Sequence, residues 1–294
     1  MPDVTVTVLA HATTGAADSW LMMLTIISLC AVGALYGIGV QDLWQRRGTG
    51  AVIGVANAAA FGVGLTVIAL ADSPPVREFA GVSFAGHMIQ HMMLLVVAGP
   101  LLGLGGAALP VSLALPRRLR RGFNRFRAHP VLHWFRRPAH RIVSGCLIFT
   151  GVLWMWHLPV LFALAERHPG LHALEHFSFV AIAWLLWAAV LSPGRHRLPG
   201  PLGFLLLFAV GMTGAALGAV LTFAPRPLYP PDVYAVGNAL ADQQLAGLVM
   251  WIPMDVVLLG FALAVFGRWL AALDTDHPAD RSFIRPVAVE EVSS

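Results

Sequence analysis

Runs of apolar residues, each about twenty residues long, recur along most of the chain between shorter polar segments. A helix needs about twenty such residues to cross a hydrocarbon core roughly 30 Å thick. The pattern predicts seven spans, at about residues 20–40, 50–71, 83–106, 142–161, 171–191, 202–223 and 243–267. The predicted fold class is therefore all-α, a polytopic membrane bundle of seven transmembrane helices that occupies residues 20–270.

Three segments lie outside this predicted membrane domain. Residues 1–19 are mildly polar and lack the basic flank and apolar run of a cleaved signal, so we expect an extracytoplasmic tail. Residues 107–141 form one long connection rich in arginine, which we expect to be cytoplasmic. Residues 271–294 are acidic and polar, and we expect a partly disordered cytoplasmic tail.

Arginine supplies all of the fixed positive charge of the side chains, because the sequence contains no lysine. Arginines crowd the first, third and fifth connections and the C-terminal tail, whereas the second, fourth and sixth connections have one each: Arg77, Arg167 and Arg226. By the positive-inside rule, the N-terminus is outside and the C-terminus inside. The long third connection either lies on anionic lipid headgroups or is a solvated topological element; both alternatives stay open.

Composition agrees with a membrane protein and excludes other classes. Hydrophobic residues make up 57% of the chain, charged residues only 12%, and the mean hydropathy is +0.74. A soluble domain has about 25% charged residues. The net charge of +4 follows from the arginines of the loops, so we expect no binding to nucleic acid. The two cysteines, Cys30 and Cys146, show no motif of a disulfide framework or a thiolate metal site.

Histidines gather at one predicted face of the membrane. His87 and His91 begin the third span, and His172 and His176 begin the fifth, each pair separated by four residues and so stacked on one helix face. His157 ends the fourth span on the same side. Five imidazoles from three helices suit a metal ion if these helices are neighbours.

The residues around these histidines indicate which metal to expect. Met88 and Met92 stack beside the first histidine pair as possible soft ligands, and thioether with imidazole favours copper, although zinc would fit the imidazoles alone. Glu175, Asp242 and Gln243 lie at the same level, where they are expected to orient the ligating imidazoles as second-shell partners. In the competing interpretation, the histidines are interfacial residues bonded to backbone carbonyls or to Glu175 and Asp242.

One ionisable residue lies deeper in the membrane. Asp255 follows Pro253 in the seventh span, and an acid at that depth is a functional candidate of unknown role. The structural alternative is that it bonds to Asn57 or to backbone groups freed by the proline kink. In the sixth span, Gly211, Gly214 and Gly218 at small-xxx-small spacing predict close helix packing.

Several ordered motifs carry a resemblance to a known family. They are His87-Met-Ile-Gln-His91 running into Gly99-Pro-Leu-Leu102, Met155-Trp-His-Leu-Pro159, His172-Ala-Leu-Glu-His176, Leu228-Tyr-Pro230 and Asp242-Gln-Gln-Leu-Ala-Gly247. In this order, over about residues 20–270, the chain resembles the CtaG-type cytochrome c oxidase assembly factors. The resemblance implies a non-enzymatic, multi-pass protein of the bacterial plasma membrane that helps to mature a haem-copper oxidase. It implies oxidase subunits as partners, with copper chaperones and membrane lipids as further candidates.

Three functions compete at this stage. The first is a copper-binding assembly factor, the second a membrane haem or quinone redox protein with His91 and His176 as axial ligands, and the third a copper permease. A permease needs ligands at several depths, whereas the candidates here crowd the outer third of the bundle. This distribution favours delivery at the outer surface.

Overall fold

The computed structural model describes residues 4–130, 137–194, 197–230 and 237–276, and within these ranges the regular structure is entirely helical. In chain order the helices are α1 (Val4–Arg47), α2 (Val55–Ala71), α3 (Pro74–Val82), α4 (Phe84–Met92), α5 (Gly99–Leu104), α6 (Ala108–Ala114), α7 (Arg117–Arg127), α8 (Pro138–Trp156), α9 (Pro159–Arg167), α10 (Pro169–Leu191), α11 (Gly200–Phe223) and α12 (Ala239–Asp276). A π-helical segment, Met93–Ala98, joins α4 to α5.

The helices confirm an all-α membrane protein. Within the described ranges, 6 helical segments are long and apolar enough to cross a bilayer, and the number rises to 7 when α2 and α3, bent by 53°, count as one broken span. One of these segments, Phe84–Leu104, combines α4, the π-helical segment and α5, and 72% of its most apolar window is buried inside the protein. It is the central helix of the bundle.

The ends of the helices differ from the predicted spans at several places. The fourth span, predicted at 142–161, begins earlier at Pro138 and already ends at Trp156, so His157 lies just beyond the helix. Proline explains the early end, because Pro159 disfavours helical backbone at the residue before it, and Leu158 is extended with ψ 128°. Residues 4–19, expected as a tail, continue α1, and α12 runs on to Asp276. The rest of the expected C-terminal tail, 277–294, lies outside the described residues.

The long arginine-rich connection contains the two short helices α6 and α7. Pro116 directly precedes α7, and Pro138 begins α8, as expected where proline divides a connection into pieces. Tyr36 of α1 stacks on Phe61 of α2 with ring centroids 4.0 Å apart, and its hydroxyl donates to the carbonyl of Gly105, 2.8 Å away. These contacts fix one end of α1 against the end of α5.

Close packing of α11 against α12 confirms the prediction from the small residues of the sixth span. A Cβ atom at Gly214 would lie 2.9 Å from Met254 Cε, and one at Gly218 would lie 2.6 Å from Trp251 Cβ. A side chain at Gly218 would push the two helices apart, because it would meet Trp251 Cβ and the backbone carbonyl of Gly247, whereas at Gly214 the flexible end of Met254 would have to move. Met254 is almost completely buried in this interface, as part of the core.

The central span is held against α10 by one tryptophan. Trp187 packs where Cβ atoms at Gly99 or Gly103 would be 2.7 Å away, and its indole N–H donates to the carbonyl of Leu95, 3.1 Å away. That carbonyl belongs to the π-helical segment, whose wider turns leave carbonyls available to partners outside the helix. This packing places α10 against α5 and the π-helical segment, which continue α4 in the same span, and so brings the two predicted histidine pairs together.

Candidate metal centre

The first histidine pair is positioned by a fully capped helix start. Ser83 is the N-cap of α4, and its hydroxyl accepts from the N–H of Gly86 at 3.0 Å. The carboxylate of Asp242, from the start of α12, accepts from the N–H of Phe84 at 2.6 Å and of Ala85 at 3.1 Å. A carboxylate at a helix N-terminus satisfies unpaired N–H groups and is favoured by the helix dipole. Asp242, predicted as a second-shell group, thus fixes the helix that carries the histidines.

The five predicted histidines lie together at one end of the bundle. The rings of His87 and His91 are 4.2 Å apart between centroids, as are those of His172 and His176, so each pair is stacked as the spacing predicts. Across the helices, His91 is 5.5 Å from His176 and 6.2 Å from His157. All but His172 are at most 5% exposed. The adjacency of α4 and α10 that the sequence analysis had to assume is present.

His157 and Met88 place two lone-pair donors face to face. The Nδ1 atom of His157 lies 2.7 Å from the carbonyl oxygen of Leu153, so it must carry the proton of that hydrogen bond. Burial lowers the pKa of His157 to about 4, which keeps the ring neutral. The Nε2 atom, 3.4 Å from Met88 Sδ, then has a lone pair and no proton. Met92, the other predicted soft ligand, is 6% exposed and packs in the hydrophobic core.

A carboxylate that the sequence analysis missed holds His176. The Oδ1 atom of Asp72 lies 2.8 Å from His176 Nδ1. Asp72 is the residue at which α2 ends, immediately before the bend into α3, so the break in this span aims the carboxylate into the cluster. The pairing leaves His176 Nε2, a buried atom with no hydrogen-bond partner, directed elsewhere. A carboxylate on one ring nitrogen commonly fixes the tautomer of a metal-binding histidine.

Glu166 has a similar place beside the other two imidazoles. Its Oε1 atom is 3.1 Å from His87 Nδ1 and 3.9 Å from His172 Nε2. Burial raises the pKa of Glu166 to about 7. The residues predicted to orient the imidazoles are Glu175, Asp242 and Gln243, so Glu166 is an addition that the structure makes. Glu166 belongs to α9, the short helix that follows the early end of α8, so its position depended on the helix break at Pro159.

Glu175 lies inside the cluster. Its side chain is fully buried, and its Oε1 atom is 3.6 Å from His91 Nε2, beyond good hydrogen-bond geometry. His87, His172 and Glu175 each offer one ligand atom within 4.8 Å of the other two. Glu175, predicted as a second-shell residue, is therefore placed where a direct ligand would be.

Several buried atoms of this cluster have no hydrogen-bond partner: both ring nitrogens of His91, both carboxylate oxygens of Glu175 and Nε2 of His176. Most buried polar side-chain atoms in folded proteins are bonded. Five such atoms on three adjacent side chains, next to a thioether and a lone imidazole nitrogen, form the donor set expected of a metal site. The residues present therefore fit a bound ion.

The remaining predicted residues have structural partners. Gln243 accepts from the N–H of Leu228 at 2.6 Å and donates to the carbonyl of Leu221 at 3.2 Å, which ties α12 to the chain after α11. For Asp255, the alternative of a bond to Asn57 is not what the structure shows. Asp255 accepts from the indole N–H of Trp251, one turn earlier on its own helix, at 2.9 Å, whereas Asn57 donates to the carbonyl of Leu104 at 2.8 Å.

Asp72 is the main omission of the sequence analysis, and a signal for it was present. It stands at the end of the second apolar run, before Ser73-Pro74-Pro75, at the same predicted membrane face as the histidines. A carboxylate at the end of a span, at the same membrane face as several histidines, is a candidate partner for one of their ring nitrogens. It is separated from His176 by 104 positions, so the pairing itself depended on the fold.

Comparisons with known proteins give one match. A search of curated proteins and a search of solved structures found nothing similar. A family model described as cytochrome c oxidase caa3 assembly factor (Caa3_CtaG) matches residues 34–272, which include all the helices of the cluster. The match spans well over half of the chain and agrees with the resemblance of the ordered motifs. The chain therefore belongs to the cytochrome c oxidase caa3 assembly factor family.

Proposed function

We propose that this membrane protein binds copper as Cu(I) in its histidine cluster and delivers it to a copper centre of a cytochrome c oxidase. The arginine distribution supports an extracytoplasmic location for the cluster, in the plasma membrane of a bacterium. Oxidase subunits are the receiving partners, and copper chaperones are candidate donors. In this role the protein is not an enzyme, because it moves an ion without changing a covalent bond.

The observation that carries this proposal is the contact between Met88 Sδ and His157 Nε2. At 3.4 Å, a thioether sulfur and an unprotonated imidazole nitrogen face each other, and neither atom has a proton to donate. Two lone pairs at this distance are not a hydrogen bond, whereas a soft cation between such donors would be bound by both. Thioether and imidazole together suit Cu(I) better than zinc.

The surrounding residues support release as well as binding. His91 and His176 offer further nitrogens beside the Met88–His157 pair, so they can complete the coordination of an ion held by that pair. The side chains of His172 and Glu166 are 21% and 18% exposed, whereas those of His91 and Glu175 are fully buried. An ion that exchanges ligands from the buried donors to His172 approaches the surface, where a partner protein has access.

The arrangement around His91 argues for an ion over a haem. His87 and Phe179 pack edge-on against its ring with centroids 4.2 and 4.7 Å away. A haem between His91 and His176 needs a planar slot on both sides of the iron, and these rings fill the space next to His91. Zinc stays a second candidate ion, because the His87, His172 and Glu175 ligand atoms form a His₂Glu set of the kind that zinc accepts.

The test is the copper affinity of purified full-length protein, measured under reducing conditions by competition with a Cu(I) chelator. We expect one bound copper, and a loss of at least about tenfold in affinity in the Met88→Leu and His157→Ala variants, since each removes a direct ligand and so should cost no less than a second-shell partner. Met92→Leu is the matched control, because this methionine lies one turn further along the same helix and packs in the core. A nearly volume-conserving change there should leave folding and copper affinity almost unchanged.

The same variants test delivery in cells. We expect Met88→Leu and His157→Ala proteins to be inserted normally while the oxidase made beside them retains haem and lacks copper. Wild-type copper affinity in both variants would contradict the copper site. Tight zinc binding together with weak Cu(I) binding would indicate that the cluster is a zinc site.

A further inference from the structure

Within Trp20–Arg47, the part of helix α1 whose side chains the structure describes, only the C-terminal part is tightly packed. Its C-terminal part buries Tyr36, Val40 and Leu43, whereas Trp20 and Leu24 nearer its start are 70% and 59% exposed. Between this loosely packed part of α1 and helices α2 and α10, there is a cavity of about 660 Å³. This volume lies within the range of roughly 300–1,000 Å³ typical of small-molecule sites.

The walls of the cavity are apolar over most of its length. They are formed by side chains such as Leu29, Leu65, Leu94, Leu102 and Trp184. On α10 the lining extends from Pro169 to Trp184, which at 1.5 Å per residue corresponds to about 22 Å. The cavity is therefore long enough to follow an extended hydrocarbon chain through about two thirds of the hydrocarbon core.

One end of this cavity is polar. Asp72, Arg77, His172 and His176 line it there, beside the metal cluster. Among the lining residues that the structure describes, Arg77 is the cation and Asp72 the anion, so their fixed charges balance. The buried acids Glu166 and Glu175 lie close behind His172, within one metal-sized cluster. The anionic head group of a ligand would lie next to one guanidinium and several carboxyl groups, which would repel it. An uncharged head group with hydrogen-bonding oxygens is compatible with the guanidinium and with the carboxyl groups.

We propose that this cavity binds one isoprenoid quinone, with its ring at the polar end and its tail along the apolar walls. The guanidinium of Arg77 and the imidazole of His172 supply the N–H groups that quinone carbonyl oxygens accept. A phospholipid fits less well, because it brings a phosphate to a charge-balanced end and two chains to one channel. The proposed quinone site is different from the Met88–His157 pair, although its polar end shares His172 and His176 with the histidine cluster.

The experiment uses the full-length protein in detergent with decylubiquinone as the probe, and binding is followed by quenching of tryptophan fluorescence, for which Trp184 lies in the cavity wall. Ala181→Phe fills the middle of the cavity, and Ala173→Phe fills it near the polar end. Leu185→Phe is the matched control on the same helix, since Leu185 is 54% exposed and lies outside the cavity lining. Ala181→Leu is a smaller substitution, which still tests this position if Ala181→Phe does not fold.

We expect both phenylalanine variants to lose at least about tenfold in quinone affinity, since each ring blocks the channel, and Ala181→Leu to lose less. A tenfold loss corresponds to about 1.4 kcal/mol. Leu185→Phe should bind as the wild type does, and all four variants should retain copper. Equal quenching in wild type and filled variants would overturn the proposal. The proposal would also be overturned if phospholipid, and no quinone, were extracted from the wild-type protein and were missing from the filled variants.

Discussion

The two ends of the central span, Phe84–Leu104, differ in whether the buried polar groups have hydrogen-bond partners. At the end near α6, the carbonyls of Leu104 and Gly105 accept from Asn57 and Tyr36 at 2.8 Å. At the histidine end, His91 and Glu175 are completely buried, and none of their side-chain nitrogen and oxygen atoms has a hydrogen-bond partner. The carbonyls at the α6 end therefore have hydrogen-bond partners, whereas the side-chain atoms of His91 and Glu175 at the histidine end have none.

This difference distinguishes polar groups that are buried for a structural role from polar groups that are buried for function. An unpaired buried polar group costs about 1–3 kcal/mol, so a bundle that can satisfy such groups at one end has no structural reason to leave several unpaired at the other. At the histidine end the carboxylates Asp72 and Glu166 each contact one ring, whereas both nitrogens of His91 and Nε2 of His176 are buried without a hydrogen-bond partner. The contrast is the one expected if a ligand completes the histidine end.

The largest effect on this contrast should follow from changing the donors without partners. We expect His91→Ala or His176→Ala to remove most of the copper affinity, and the double variant to bind copper little worse than either single one, because the shared site is already lost. Chelator competition measures this. His168→Ala is the control, since His168 is exposed and just precedes α10. Wild-type affinity in both single variants would make the cluster a structural polar network.

A smaller loss should follow from changing the residue that orients His176. We expect Asp72→Ala to weaken copper binding by about 10- to 100-fold, the usual value of a second-shell carboxylate, while leaving copper stoichiometry at saturation unchanged. Titration of the purified protein gives both quantities. Glu78→Ala provides the comparison, because Glu78 lies on the neighbouring α3 and is exposed. An Asp72→Ala protein with unchanged affinity would show that the carboxylate serves the bend between α2 and α3 and not the metal site.

These outcomes also show what the sequence could predict. Apolar length and helical spacing were sufficient for the class of fold and for the two stacked histidine pairs, because both depend on residues close together in the chain. The roles of the acids were not predictable in this way. Asp72 and His176 meet across 104 positions, and Glu166 reaches His87 only because the fourth span ends at Trp156 and a separate helix follows. Helix adjacency, set here by Trp187 between Gly99 and Gly103, is a tertiary property.

The contrast between the two ends predicts a difference in stability that is smaller than the effects on copper. In metal-free protein we expect Asn57→Leu to lower the free energy of unfolding by about 1–3 kcal/mol, because it leaves the carbonyl of Leu104 without its partner. His91→Leu should cost less or even stabilise, since it removes polar atoms that have no hydrogen bonds to lose. Reversible unfolding in detergent measures both variants. Equal destabilisation would contradict the proposed difference between the ends.

The smallest effect is expected at the arginine-rich helix α7. Arg120 lines a surface pocket with Arg46 and Arg47 at the C-terminal end of α1, whereas His172 and His176 line a cavity with Leu21 and Met22. The two regions therefore lie at opposite ends of the membrane-spanning part of α1, Trp20–Arg47. Replacing Arg120, Arg121 and Arg125 by glutamine should leave copper affinity unchanged, because six other arginines of the 107–141 connection preserve the positive-inside bias. Reporters placed after Asp276 and near His168 test insertion, and we expect the first to be cytoplasmic and the second extracytoplasmic in both proteins. Loss of copper from a variant that keeps this orientation would show that α7 communicates with the metal cluster.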